Sequence, residues 1–235
     1  MKYYYYICTL ITEQKDNMED FVHLHVHTQY SILDGQAAIP KLVDKAISNG
    51  MRGMAITDHG NMFGIKELFN YCNKVNGGKP ADEQFKPIFG CEVYCARRDL
   101  HLKENNGIDK SGWHLILLAK NEVGYHNLVK IVSEAWVDGY YHRPRTDHKS
   151  IEKYHEGIIA SSACLAGEIP RYISKGQIDK AEESIEWFKS VFHDDFYIEL
   201  MRHEVKDPNK RANRQTFLEQ KAIEPMLIEL AHKHG

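Results

Sequence analysis

Cysteine is sparse and unpatterned in this sequence: Cys8, Cys72, Cys91, Cys95 and Cys164 are odd in number, scattered, and form no C-x-x-C pair. That argues against a disulfide framework and against a zinc ribbon, and a reducing, cytoplasmic setting fits best. Charge of one sign is also missing. The net charge of -3 lacks the basic excess on which a purely electrostatic nucleic-acid binder depends. Internal repeats, low-complexity tracts and linkers rich in Pro, Gly or Ser are absent, so nothing divides the chain into separate domains. The apolar run inside MKYYYYICTLITEQKDN, at 1–17, is about ten residues long, too short to span a bilayer, and it lacks the small-residue cleavage site of a secretory signal. No membrane partner is expected. Residues 1–18 read as a flexible N-terminal extension or an upstream start, with Met18 the natural beginning; an edge strand is the competing reading.

What is present describes a folded protein with one excess. With 235 residues, 43% hydrophobic and 27% charged, the chain can bury its own core as one sizeable domain or two small ones. Histidine is over-used, at 14 against 7 prolines and 7 methionines. As the commonest metal ligand and the usual proton-transfer group near neutral pH, it points to metal chemistry or catalysis.

From Glu19 onward, short apolar or β-branched runs alternate with amphipathic stretches, the pattern of an α/β fold. Strands are expected near 21–26, 53–57, 86–94, 113–119, 157–161 and 195–201. Helices are expected at 40–49, with Pro40 in the first turn and Gly50 past the end, at 65–75, at 121–137 with Asn121 as N-cap, and at 177–192. A last helix at 209–234 is expected to break or kink at Pro225. Six strands with intervening helices suggest a (β/α) barrel, and a chain ending at Gly235 just after a helix reads as a fragment, its barrel unfinished.

The chemistry begins at His23-Leu24-His25-Val26-His27, where alternation on an extended segment puts the imidazoles on one face. His25 and His27 can then meet one metal ion, whereas a solvated polar face is the plain alternative. His23 reads as a hydrogen-bonding or supporting residue. Thr57-Asp58-His59-Gly60 follows an apolar run, so His59 emerges at the carboxyl end of a strand, where β/α barrels carry their active sites; Asp58 reads as a turn or supporting residue. Glu92, in Gly90-Cys91-Glu92, can bridge two ions through its carboxylate. His114 stands at the start of its strand, which brings it beside Glu92 only if that strand pairs antiparallel with the one ending at Tyr94. Asp34, next to Gly35, is equally a ligand or a turn residue, and Cys164 taken alone reads as a buried structural thiol. Arg143 and Arg145, in an aromatic, proline-containing loop, suit a phosphate or a nucleic-acid backbone; a solvated loop or a domain contact is the competing reading. The remaining histidines read as surface or packing residues.

These stretches resemble the PHP (polymerase and histidinol phosphatase) family, in the version found at the N-terminus of bacterial DNA polymerase III alpha subunits. The resemblance runs from about residue 20 to the end, and its most specific stretch is His25-Val-His27-Thr-Gln-Tyr-Ser31-Ile-Leu33-Asp34-Gly35. Thr57-Asp58-His59-Gly60-Asn61, Gly90-Cys91-Glu92-Val93-Tyr94, the run from His114 to Asn121, Gly139 to Arg145, and Ser161-Ser162-Ala163-Cys164 also match. The resemblance implies a distorted seven-stranded TIM-like barrel, incomplete here at its C-terminal end, holding up to three divalent ions (Zn, Mn or Fe). Its ligands would be His25, His27, Asp34, His59, Glu92, His114 and Cys164, with His25, His27 and His59 serving catalysis. The family's last two ligands, an Asp and a His, have no counterpart. The implied function is metal-dependent phosphoester hydrolysis in DNA replication, as a 3′-5′ exonuclease for proofreading. The partners would be DNA, met through the full-length polymerase, and other replicase subunits. A catalytically silent scaffold that stabilises the polymerase and docks a separate proofreading subunit is the alternative; a small-molecule phosphatase fits the first motif less well.

Overall fold

A computed structural model describes residues 21–104, 107–207 and 209–235. The expectations for 1–18 lie outside the described residues. Seven α-helices and six strands are found among these residues: α1 (Ile39–Ser48), β1 (Gly53–Ile56), α2 (Ile65–Asn76), β2 (Lys86–Ala96), β3 (Gly112–Ala119), α3 (Glu122–Val137), β4 (Arg145–Thr146), α4 (His148–Lys153), β5 (Ile158–Ser161), α5 (Glu168–Ser174), α6 (Ile178–Phe192), β6 (Phe196–Tyr197) and α7 (Arg211–His234).

The strands form one mixed sheet in the order β1-β2-β3-β5-β6, with β4 paired to β2 off that path. β1 runs parallel to β2, and β3 is antiparallel to both β2 and β5. The antiparallel pairing expected for β2 and β3 is therefore present, and it sets Tyr94 opposite His114 and Glu92 opposite Ile116. Period two then separates the two faces of the sheet. Cys91, Val93 and Cys95 of β2 join Trp113, Leu115 and Leu117 of β3 in a core packed under α3, α5, α6 and α7. Glu92, Tyr94 and His114 alternate with these residues and so share the opposite face. Beside them Ala55, Ile116, Leu118 and Ala163 make a small apolar cluster. A further core joins α1 and α2 to β1 through Ile39, Val43, Ile56, Ile65 and Leu68.

Several elements differ from expectation. The segment at 21–26 is no regular strand: it makes one parallel bridge, His23 to Met54, although Ala55 N–H donates to His23 O at 2.8 Å and Thr57 N–H to Val26 O at 2.8 Å. The strand expected at 195–201 shortens to Phe196–Tyr197, because its pairing with β5 ends at Tyr197. β4, α4 and α5 were not anticipated, each having too few residues to display a period. The expected break at Pro225 does not occur; α7 runs through it, with Ile223, Leu227 and Leu230 buried on either side to offset the lost backbone bond. Asn121 caps α3 as expected, its Oδ1 accepting from Gly124 N–H at 2.9 Å.

Among the described residues no backbone pairing joins β6 back to the segment at 23–26. Side chains meet there instead: His25 Nδ1 lies 2.7 Å from Glu199 Oε1, just beyond β6. No helix among the described residues is long and apolar enough to cross a membrane.

Candidate metal centre

Backbone geometry brings three separate stretches of chain to one point. Thr57 holds the 23–28 segment beside β1, its hydroxyl accepting from Val26 N–H at 2.8 Å. Asp58, only 2% exposed, accepts from Thr28 N–H at 2.6 Å, Thr28 Oγ1 at 2.8 Å and Ser31 Oγ at 2.7 Å. It clamps the loop after His27 and faces no cluster of ligating groups, the supporting part its turn position suggested. The next residue, His59, bridges to Glu92 on β2, and Gly60 N–H donates to Glu92 O at 2.8 Å. Gly60 has φ of +61°, and a Cβ there would lie 2.7 Å from Pro144 Cγ, so this turn requires glycine.

Glu92 stands at the middle of the cluster, 1% exposed. Its Oε2 lies 2.8 Å from His25 Nε2 and 3.6 Å from His27 Nε2; its Oε1 lies 2.8 Å from His59 Nδ1 and 2.6 Å from His114 Nδ1. Each oxygen thus faces its own pair of imidazoles. The two triads, His25-His27-Glu92 and His59-Glu92-His114, share one carboxylate, and within each the ligand atoms lie within 4.8 Å of one another.

The outer nitrogens of three of these rings are already engaged. His25 Nδ1 meets Glu199 Oε1 at 2.7 Å, His27 Nδ1 meets Ser31 Oγ at 3.1 Å, and His59 Nε2 meets Asp34 Oδ2 at 2.8 Å. An acceptor on the outer nitrogen fixes the ring proton there and leaves the inner nitrogen's lone pair aimed inward, as metal-ligating histidines require. His59 Nδ1 and Glu92 Oε1 are both buried without a hydrogen bond of proper geometry, although they lie 2.8 Å apart. Two lone-pair donors that close, with no proton placed between them, suit a shared cation better than a hydrogen bond. The residues present therefore fit divalent ions, and imidazole with carboxylate accommodates zinc, manganese or iron alike.

The same carboxylates also favour protonated imidazoles, and a cation binding at the inner nitrogens would displace those protons. Burial favours neutral His25, but Glu199 and Glu92 outweigh it and raise its pKa to about 10. Burial likewise works against His59 in its charged form, and Glu92 with Asp34 reverses the sign, so its pKa is raised. Burial pushes the Glu92 carboxyl up, yet the imidazoles of His114, His25, His27 and His59 around it hold it far below the usual carboxylate range. Burial, reinforced by the Glu92 charge, pushes the Cys164 thiol up to about 12.

The other expected site residues fall into three positions. Cys164 Sγ lies 3.5 Å from His114 Nδ1, at the margin of the second triad. Asp34 reaches the centre only through His59, with its side chain 59% exposed. The two arginines part company. Arg143 leans over the Tyr94 ring, 5.4 Å from its centroid, and Tyr94 in turn packs against His59 and His114. Arg145, expected to meet phosphate or nucleic acid, is instead fully buried, donating from Nε to Gly139 O at 3.0 Å and from Nη2 to Leu100 O at 2.8 Å and Leu102 O at 3.1 Å. The pairing of β4 with β2 draws it inward, where it ties two loops together. His23 is half-buried, edge-on to Phe21, and belongs to neither triad.

Sequence reasoning missed Glu199. It is 6% exposed, and besides His25 it accepts from Ser161 Oγ at 2.8 Å. The signal was a lone acid in the otherwise apolar run Phe196-Tyr-Ile-Glu199-Leu-Met201.

Two histidine pairs share one carboxylate, with Glu92 and His114 carried on adjacent strands of an α/β sheet. The PHP domain model matches residues 23–203, and the chain is a member of the PHP domain family. Its curated relatives carry a more particular name. It is 46% identical over 187 residues to the DNA polymerase III subunit alpha of Borreliella burgdorferi, covering 80% of this chain and 16% of that protein. It is 38% identical over 216 residues to the same subunit of Treponema pallidum, and 39% over 221 residues to that of Aquifex aeolicus, covering in each case 92% of this chain and 17% of the relative. The chain thus spans about a sixth of the length of these relatives. Among solved structures, it is similar to a metal-dependent phosphoesterase from Bifidobacterium adolescentis, with a TM-score of 0.44, 13% identity, and coverage of 91% of this chain and 82% of that one.

Proposed function

We propose that residues 19–235 form the metal-binding phosphoesterase domain of a replicative DNA polymerase alpha subunit, acting on DNA as a 3′-5′ exonuclease. The observation that carries this reading is the Glu92 carboxylate, with one oxygen turned to each of two histidine pairs. Divalent ions held there supply Lewis acidity toward a phosphoryl oxygen and ease the deprotonation of water, the chemistry of two-ion hydrolysis. The protein's own groups do the rest. Glu199, Ser31 and Asp34 hold ring protons on the outer nitrogens of His25, His27 and His59, so the inner nitrogens stay available. Cys164 would join His114 as a thiolate ligand once a cation offsets the burial that now keeps it protonated. Arg143, held over Tyr94 at the rim, would grip the phosphate being cleaved, and no protein nucleophile is needed.

On this reading the mixed sheet is part of the family's distorted barrel, with Glu199 and His25 bridging its open edges. The size of the relatives, about six times this chain, accords with a domain working inside a larger cytoplasmic polymerase alongside other replicase subunits. The metal-loaded protein should degrade single-stranded DNA from its 3′ end, and His25→Ala should abolish that activity. Metal binding without hydrolysis would leave the domain as a scaffold for the polymerase and its proofreading subunit. Hydrolysis that survives His25→Ala would place the nuclease elsewhere.

A further inference from the structure

An aromatic and basic surface adjoins the metal centre and takes no part in holding it. Trp136 Nε1 donates to Gly60 O at 2.7 Å, which fixes the indole against the turn that carries His59. Tyr140 stacks on Trp136, with ring centroids 5.6 Å apart and planes 23° apart, and Phe63 lies 6.2 Å from Trp136 with its plane tilted by 40°. These three rings are 48%, 42% and 63% exposed, in the order Tyr140, Trp136, Phe63. Large rings that lie open to water beside one another serve no core.

Phe63 also lines an open pocket of about 540 Å³, together with Tyr30, Lys66, Asn70 and Lys74. Tyr30 belongs to the loop after His27 and Phe63 to the loop after His59, so a loop from each triad borders the pocket. Lys66 and Lys74 are exposed and form no ion pair among the described residues, and Lys74 Nζ lies 5.9 Å from the centroid of the Tyr71 ring. Glu67, the acid in the pocket wall, accepts from Tyr30 Oη at 2.9 Å and from Gln29 Nε2 at 3.2 Å, and is tied to the wall. The volume is that of a nucleotide-sized site.

We infer that this surface is a track for unpaired DNA: Phe63, Trp136 and Tyr140 stack its bases, Lys66 and Lys74 hold its phosphates, and the strand end is delivered to the Glu92 centre. The inference deepens the phosphoesterase reading and rests on it for the purpose of the track. Its physical basis is general. Single-strand binders interleave aromatic platforms with cations along the backbone, because every base has a π-face and every linkage a charge. The chain's small negative net charge is no obstacle, since Lys66 and Lys74 lie on one helix, α2, which begins two residues after Phe63.

The test is binding of a fluorescein-labelled deoxythymidine dodecamer, followed by anisotropy in chelator, so that no turnover enters the readout. Phe63→Ala and Tyr140→Ala should each weaken binding about tenfold, within the range of one base–aromatic stack. Lys66→Ala and Lys74→Ala should each lower the slope of log affinity against log salt by about 0.7, the loss of one phosphate contact on a single strand. An abasic strand should bind wild type and the two aromatic variants alike. Equal binding of the dodecamer by wild type and all four variants would overturn the track and leave the surface to a protein partner. Hydrolysis of bis(4-nitrophenyl) phosphate by the manganese-loaded wild type separates the two ideas. Turnover of that small diester without dodecamer binding sinks the track alone, and dodecamer binding that obeys the variants without any turnover sinks the phosphoesterase reading alone.

Discussion

Replacing Glu92 by Gln keeps the size of the side chain and removes one charge from a position that is 1% exposed and touches four imidazoles. If both triads hold ions through this carboxylate, each ion loses the same charge. Two unit charges about 4 Å apart interact by about 4 kcal/mol at an effective dielectric constant near 20. That corresponds to roughly a thousandfold in affinity, felt at both positions. The assay is thermal unfolding with increasing manganese or zinc. At a hundred times its dissociation constant, a ligand that binds only the folded protein stabilises it by about 2.7 kcal/mol. For a chain of this length that shift is roughly 5–10 °C in Tm, at about 2–4 °C per kcal/mol. The wild type should show it, and Glu92→Gln should show none at the same concentration. An equal shift in the variant would refute the shared carboxylate, whatever else the site does.

Three further outcomes follow from the same geometry. In chelator, the proton on His25 stabilises the fold: its pKa in the folded protein is about 10 against 6.5 for the free group, so that stability is complete below pH 6.5 and is lost as pH rises through about 10. Urea denaturation across that window should show the decline, and Glu199→Gln should flatten it. Arg145→Ala should destabilise the protein by at least about 3 kcal/mol, because three carbonyls lose a charged donor, and Arg145→Lys should not restore it; Arg143→Ala should stay within about 0.5 kcal/mol of wild type in the same denaturation. Cobalt-loaded protein should show a thiolate-to-metal absorption band that Cys164→Ser removes, and a spectrum indifferent to that change would exclude the sulfur as a ligand.

Much of the centre was legible because alternation is a strong constraint. The spacing His25-x-His27 placed two imidazoles on one side of an extended segment, and their Nε2 atoms do meet, 3.1 Å apart. His114 was awkward for a simple parallel arrangement, and the awkwardness itself predicted the antiparallel β2–β3 pairing. What stayed hidden depended on tertiary partners. Glu199 carries no motif of its own; it matters only because Ser161 and His25 converge on it from other parts of the chain. Arg145 and Arg143 look alike in a Tyr-Tyr-His-Arg-Pro-Arg loop, and only the two-residue pairing of β4 with β2 buries one of them. Asp34 offered the local ambiguity common to an acid beside glycine, and it does both jobs: its backbone N–H closes a turn on Ser31 O at 3.1 Å while its carboxylate reaches His59. At 21–26 the alternation led to an expected strand that does not form, because a ladder needs more than the one bridge that His23 makes with Met54.

Anomalous diffraction from crystals grown with manganese or zinc addresses the shared carboxylate most directly. Two peaks about 3.5–4 Å apart are expected, with Glu92 Oε2 on the ion held by His25 and His27, and Oε1 on the ion held by His59 and His114. A single ion that ignores Glu92, or ions bound elsewhere while the four imidazoles keep only hydrogen bonds, would contradict the account.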